Sequence, residues 1–140
     1  MSRRSRAREV VLQVLYSEDL NPTQPLQVAD EFLRRRLRED EPLIDFARSL
    51  LVGVRSRHRE LDDLLTARAD NWSLERMAAT DRNVLRLGAF EILHTDTPGR
   101  VAINEAVELA KRYGTQHSSQ FVNGILDRFL RMREEAGESQ

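Results

Sequence analysis

Residues 101–112, Val101-Ala102-Ile103-Asn104-Glu105-Ala106-Val107-Glu108-Leu109-Ala110-Lys111-Arg112, decide the fold class. Ile103, Ala106, Val107 and Ala110 recur at the spacing of one face of an α-helix, not at the alternation of a half-buried strand. Glu105 lies early and Lys111 and Arg112 late, which suits the helix dipole, and Gly114 terminates the segment. Pro98-Gly99 forms a turn before it. Upstream of that turn, Leu85, Ala89, Ile92 and Leu93 stripe another helix, which Ser73 or Thr80 caps. Downstream, a last helix from about Ser118 to Glu134 buries Val122, Ile125, Leu126 and Phe129, leaving residues 136–140 as a frayed tail.

The same periodicity fills the N-terminal half. A helix from about Arg4 to Asp19 places Ala7, Val11, Val14 and Leu15 on one stripe, and Asn21-Pro22-Thr23-Gln24-Pro25 ends it. A second spans about Leu26 to Arg38, with Ala29, Phe32, Leu33 and Leu37 inward, and a charged turn, Glu39-Asp40-Glu41-Pro42, follows. A third stripe runs through Leu43, Ala47, Leu50, Leu51 and Val54 and continues to Leu61 and Leu65. Either one long helix passes Gly53 or two helices follow in sequence. The expectation is an all-α domain over residues 1–140, a bundle of six to seven helices arranged as two packed helical sub-bundles. The Asn21–Pro25 loop and the connection holding Trp72 are the expected seams.

Composition narrows the chemistry. A chain of 140 residues with 40% hydrophobic and 32% charged residues suits one domain with a buried core. Cysteine is absent, which excludes disulfides, thiolate nucleophiles and Cys-based zinc sites. No apolar run approaches the roughly 20 residues that cross a bilayer. The basic N-terminus leads into no apolar signal region, so a soluble cytoplasmic protein is expected. No phosphate-cradling glycine loop or nucleophile elbow is present. Glu91 and His94 form a single E-x-x-H, whereas di-iron bundles carry two with extra glutamates, so a helix-end histidine is the simpler reading. No catalytic residue, metal or cofactor is expected.

The net charge is −1, but its distribution is uneven. Arg3, Arg4, Arg6 and Arg8 face only Glu9 within residues 1–9. Arginines in the first turn oppose the helix dipole, each by a few tenths of a kcal/mol, roughly. A rule broken repeatedly in one place marks a candidate functional site, and a phosphate chain would offset the repulsion. A frayed, solvated basic terminus is the plainer alternative. The second basic run, Arg34-Arg35-Arg36 with Arg38, meets Glu39, Asp40 and Glu41 and reads as a solvated face. Phe121 sits one residue off the apolar stripe of the last helix. Its spacing alone favours core, although an aromatic at a helix start can also stack on an unpaired base. Gly88 and Gly124 interrupt helical patterns at about 1 kcal/mol each relative to alanine, which close helix–helix approach would compensate.

Four segments, in order and spacing, resemble the NusB family of bacterial transcription antitermination factors. They are Arg4-Ser5-Arg6-Ala7-Arg8-Glu9 continuing to Leu12-Gln13-Val14-Leu15-Tyr16, residues 81–93 from Asp81 to Leu93, residues 101–111, and Phe121-Val122-Asn123-Gly124-Ile125-Leu126-Asp127. The resemblance covers essentially the whole chain, with little signal from Asn21 to Pro42. It implies two packed helical bundles, binding to single-stranded boxA RNA of nascent ribosomal RNA transcripts, and a heterodimer with NusE, a small-subunit ribosomal protein. It further implies assembly with other Nus factors on RNA polymerase, suppression of premature termination, and a role in ribosome assembly. Some family members self-associate, so a homodimer is an alternative state. By position, Arg4, Arg6 and Arg8, with Arg3 adjoining, match the family's RNA-contacting arginines, and Phe121 matches an aromatic implicated in RNA contact. Tyr16 and Asp81 match the NusE-facing surface. Ser5 stands where relatives often carry another arginine, and His117 where others carry an acid.

Two competing readings stand beside this one. A NusB-like accessory domain of ribosomal RNA methyltransferases would need a methyl-donor-binding domain, for which 140 residues leave no room. A structural homodimer with protein partners alone would leave the arginine-rich terminus without a task.

Overall fold

Residues 2–70 and 73–138 are described by the computed structural model. Trp72 and the last two residues of the expected tail lie outside them. The described chain is helical with no strand: α1 (Arg3–Leu20), α2 (Leu26–Arg36), α3 (Glu41–Ser56), α4 (His58–Thr66), a 3-10 turn (Leu74–Arg76), α5 (Ala79–His94), α6 (Gly99–Tyr113) and α7 (Ser118–Glu138). This is the all-α architecture that the periodicity predicts. Helix α7 outruns its expected end and stays helical through Glu138.

The chain divides into two units, residues 1–56 and 57–140. The boundary is neither of the expected seams. The Asn21–Pro25 loop joins α1 and α2 inside the first unit. The stripe running from Leu43 to Leu65 serves two cores, because Arg57 (φ −112°, ψ 19°) leaves helical geometry between α3 and α4.

In the first unit, α1 is sunk on most sides: Ala7, Arg8, Glu9, Val10, Val11 and Leu12 are all buried. Ser2 caps it, its hydroxyl accepting the Ser5 N–H at 3.1 Å. Helix α2 ends two residues earlier than its composition suggests, because Arg38 and Glu39 both take left-handed backbone (φ 54° and 56°). That turn brings Asp40 to the start of α3, where its carboxylate accepts the Leu43 N–H at 3.3 Å. Arg55 of α3 pairs with Glu18 of α1 through two hydrogen bonds. Leu33, Ile44, Leu50 and Leu51 are fully buried at the centre.

In the second unit, α5, α6 and α7 pack on one another and α4 packs on α5. Gly88 of α5 is a close-approach position: a Cβ there would lie 2.7 Å from Leu126 Cδ1 and 3.4 Å from Ala106 Cβ. Gly124 is different. Nothing lies within 4 Å of the place where its Cβ would stand, so the expected helix contact does not occur there. A polar chain crosses the unit, in which Arg86, 5% exposed, donates to both oxygens of Asp62 at 2.7 and 2.9 Å and to Asn83 Oδ1 at 3.1 Å. Arg133 of α7 donates to the Ile92 carbonyl in the last turn of α5.

Candidate nucleic-acid interface

Helix α1 carries Arg3, Arg4, Arg6 and Arg8 in its first two turns, with no acidic residue in the first turn to offset them. The four side chains differ in environment. Arg3 is exposed and donates to Asp40 Oδ2 at 2.5 Å. That guanidinium, foremost, holds the Asp40 carboxyl below its ordinary value, helped by the Leu43 N–H and opposed by partial desolvation. Arg6 pairs with the buried Glu9 at 2.9 Å. Arg8 is itself buried, 4% exposed, with its guanidinium carbon 5.3 Å from the centre of the Phe46 ring. Arg4 is exposed and its guanidinium carbon lies 4.3 Å from the same ring centre. Sequence reasoning treated these arginines as one basic patch. In the structure Arg3 and Arg6 meet carboxylates, and Arg4 and Arg8 both lie near the Phe46 ring.

Phe46 and Asp40 are the residues sequence reasoning missed. Phe46 lies one position before Ala47 on the α3 stripe, the same off-stripe placement that singled out Phe121. On α2, Arg35 and Arg36 lie 5.8 and 5.5 Å from the Phe32 ring centre, so arginine on phenylalanine recurs within the unit. Arg34 is spent on carboxylates, pairing with Glu41 at 2.7 Å and with Asp30 and Glu39 at 3.4 Å. That agrees with reading the run as largely self-neutralised. Tyr16, further along α1, is 41% exposed.

In the second unit the structure brings Asp81, His117 and Phe121 around one cavity of about 220 Å³, with Arg76, Met77 and Thr115 also in its lining. Phe121 is half-buried, neither core nor fully exposed. The Thr115–Ser118 turn opens α7: Thr115 N–H donates to Ser118 Oγ at 2.9 Å and Ser118 N–H to the Thr115 carbonyl at 3.1 Å. Gly114 makes the turn sterically feasible, since a Cβ there would overlap Ser118 Oγ and sit 2.7 Å from the Ala110 carbonyl oxygen. Asp81 lies in the first turn of α5, where its charge suits the helix dipole. Its Oδ1 is buried without a hydrogen-bond partner among the described residues. Glu91 is buried in α5, and His94 Nε2 lies 3.5 Å from Glu60. No group of three potential metal ligands occurs among the described residues.

An arginine-led first helix, an aromatic at the start of the last and helices throughout define a pattern that can be compared with known proteins. The NusB family model matches residues 5–131. The chain belongs to the NusB family. Among the relatives, the transcription antitermination protein NusB of Anaeromyxobacter dehalogenans (strain 2CP-1) is 47% identical over 131 residues, covering 91% of this chain and 89% of its own. Among solved structures, T. maritima NusB superposes with a TM-score of 0.83 at 37% identity, over 94% of this chain and 92% of its own. A NusB from a complex of antitermination factors NusB and NusE with dsRNA gives 0.83 at 27% identity, over 94% and 98%. Family membership thus rests on sequence and fold together, and covers both units. No helix among the described residues is long and apolar enough to cross a membrane.

Proposed function

We propose that the chain is a transcription antitermination factor that acts by binding, not by catalysis. It holds single-stranded boxA RNA of nascent ribosomal RNA transcripts, pairs with NusE, and joins RNA polymerase with other Nus factors in the cytoplasm. Suppressed termination of ribosomal RNA operons, and support of ribosome assembly, follow from that complex. The observation that carries the reading is the set of four arginines at the start of α1. Those that reach the surface, Arg3, Arg4 and Arg6, neutralise phosphates and release counterions with Arg8 buried beneath them, while Phe121 beside its cavity supplies a face for an unpaired base.

Tyr16 and Asp81 are proposed as the NusE-facing residues. Exposure of the Tyr16 ring supports the first of these. The test is fluorescence anisotropy of a labelled boxA-type RNA titrated with the protein, alone and with NusE. Tighter binding with NusE is the expected result. Saturable binding to unrelated duplex DNA of equal strength would remove the RNA reading.

A further inference from the structure

The NusB-type reading leaves Phe46 without a task, yet its ring faces two of the four N-terminal arginines. We propose that Phe46 is a positioning residue for RNA binding, a ring on which Arg4 is ordered to receive a phosphate. The inference rests on the RNA reading above. Arg4 and Arg8 are four residues apart, so they share a face of α1. That face meets α3, and both guanidinium carbons lie close to the Phe46 ring centre, at 4.3 and 5.3 Å. Such distances are those of cation–π contact.

The environments of the other arginines sharpen the assignment. Arg3 and Arg6 already face carboxylates, at 2.5 and 2.9 Å, and Arg8 is buried. Arg4 is exposed and makes no ion pair among the described residues, so its charge is held near the ring without being neutralised. A guanidinium over a ring gives up a face, not its edge, and its N–H donors radiate in its own plane. Phosphate is bound through those edge donors. The ring therefore orders a flexible side chain in advance, without competing for its hydrogen bonds, and removes part of the ordering cost of binding. A carboxylate in place of the ring would order the side chain and occupy its donors as well. Phe46 acts through Arg4 and need not touch RNA.

The test is RNA affinity of the full chain as wild type, F46L and F46W, and of the same substitutions in an R4A background. Circular dichroism and thermal melting establish that each variant is folded. F46L removes the π face and keeps apolar bulk, so affinity should fall by about two- to five-fold, the worth of one exposed cation–π contact. F46W should keep wild-type affinity. In the R4A background F46L should cost less than two-fold, because the residue it serves is gone. Equal loss in both backgrounds would mean that the ring acts through packing, and would overturn the inference. So would an unchanged F46L while R4A weakens binding, a result that leaves the RNA reading standing. If wild type and R4A alike show no RNA binding, the RNA reading falls first and this inference with it. Should F46L not fold, NMR of the wild-type protein decides: ring-current shifts of the Arg4 side-chain protons support the contact, and random-coil shifts refute it.

Discussion

The most informative single substitution outside the arginines is Asp40→Asn. In the free protein Asp40 does two things: Oδ1 accepts the Leu43 N–H that starts α3, and Oδ2 accepts from Arg3. Asparagine keeps an oxygen for the first role, and is as good a helix N-cap as aspartate. It removes the negative charge that occupies Arg3. The substitution therefore isolates one electrostatic contact without dismantling the turn that carries it. The pair is exposed, with side-chain accessibilities of 68% for Arg3 and 31% for Asp40, so the melting temperature should barely move. RNA binding should change measurably. Each additional phosphate neutralised on a single strand steepens the dependence of log affinity on log salt by about 0.7. Between 50 and 200 mM salt, one added contact thus makes the variant lose roughly two- to three-fold more affinity than wild type does, while binding more tightly at the low end. Anisotropy titrations at four salt concentrations read both quantities. Parallel salt lines, or weaker binding by the variant at low salt, would refute the view that Asp40 competes with RNA for Arg3.

Three further predictions concern stability. Asp62→Ala removes the carboxylate whose two oxygens accept from the Arg86 guanidinium, which is 5% exposed. Breaking such a pair costs about 3–5 kcal/mol when it is fully buried, and water reaching this site reduces that to about 2–3 kcal/mol. A fall in melting temperature of roughly 5–10 °C is expected, and a fall under 2 °C would contradict it. Asp30 has its carboxyl held below the ordinary value, chiefly by its hydrogen bond to Arg48 and against partial desolvation. A depressed folded value contributes stability above the unfolded pKa that is lost as pH falls through the folded one. The melting difference between wild type and Asp30→Asn should therefore be constant near pH 7 and shrink as pH falls below the ordinary aspartate range of about 4. A difference that grows with acid would contradict the sign. Gly124→Ala meets nothing within 4 Å and should stabilise α7 by up to about 1 kcal/mol, whereas Gly114→Ala meets Ser118 and the Ala110 carbonyl and should destabilise by about 1–3 kcal/mol. Denaturant midpoints of the two variants moving in the same direction would show that local space does not decide the outcome.

The fold was legible because burial in a helix leaves a period. The stripes through Leu85–Leu93, Ile103–Ala110 and Val122–Phe129 foretold that α5, α6 and α7 exist and which face each buries, while α7 runs on to Glu138. Periodicity does not reveal which core a stripe serves. Val54 and Leu61 continue one pattern across Arg57, where the backbone turns and the units divide. Nor does it register the left-handed pair Arg38 and Glu39, since neither residue type advertises positive φ. The basic character of the site was plain in Arg3, Arg4, Arg6 and Arg8. Its internal order was not, because Asp40 and Phe46 are distant in sequence and meet α1 only through the packing of α1 on α3. Phe46 carried one local signal, an aromatic just off an apolar stripe, and that signal is too common to act on alone.

The central claim is that these arginines bind RNA phosphates, and the salt dependence of a boxA-type RNA titration tests it most directly. Wild type should show log affinity falling against log salt, with a slope of about −0.7 for each phosphate neutralised on the single strand. The Arg4→Ala, Arg6→Ala, Arg8→Ala triple variant, if folded, keeps Arg3 and should bind more weakly with a shallower slope. A wild-type slope near zero, or a folded triple variant that keeps the wild-type slope and affinity, would contradict the account.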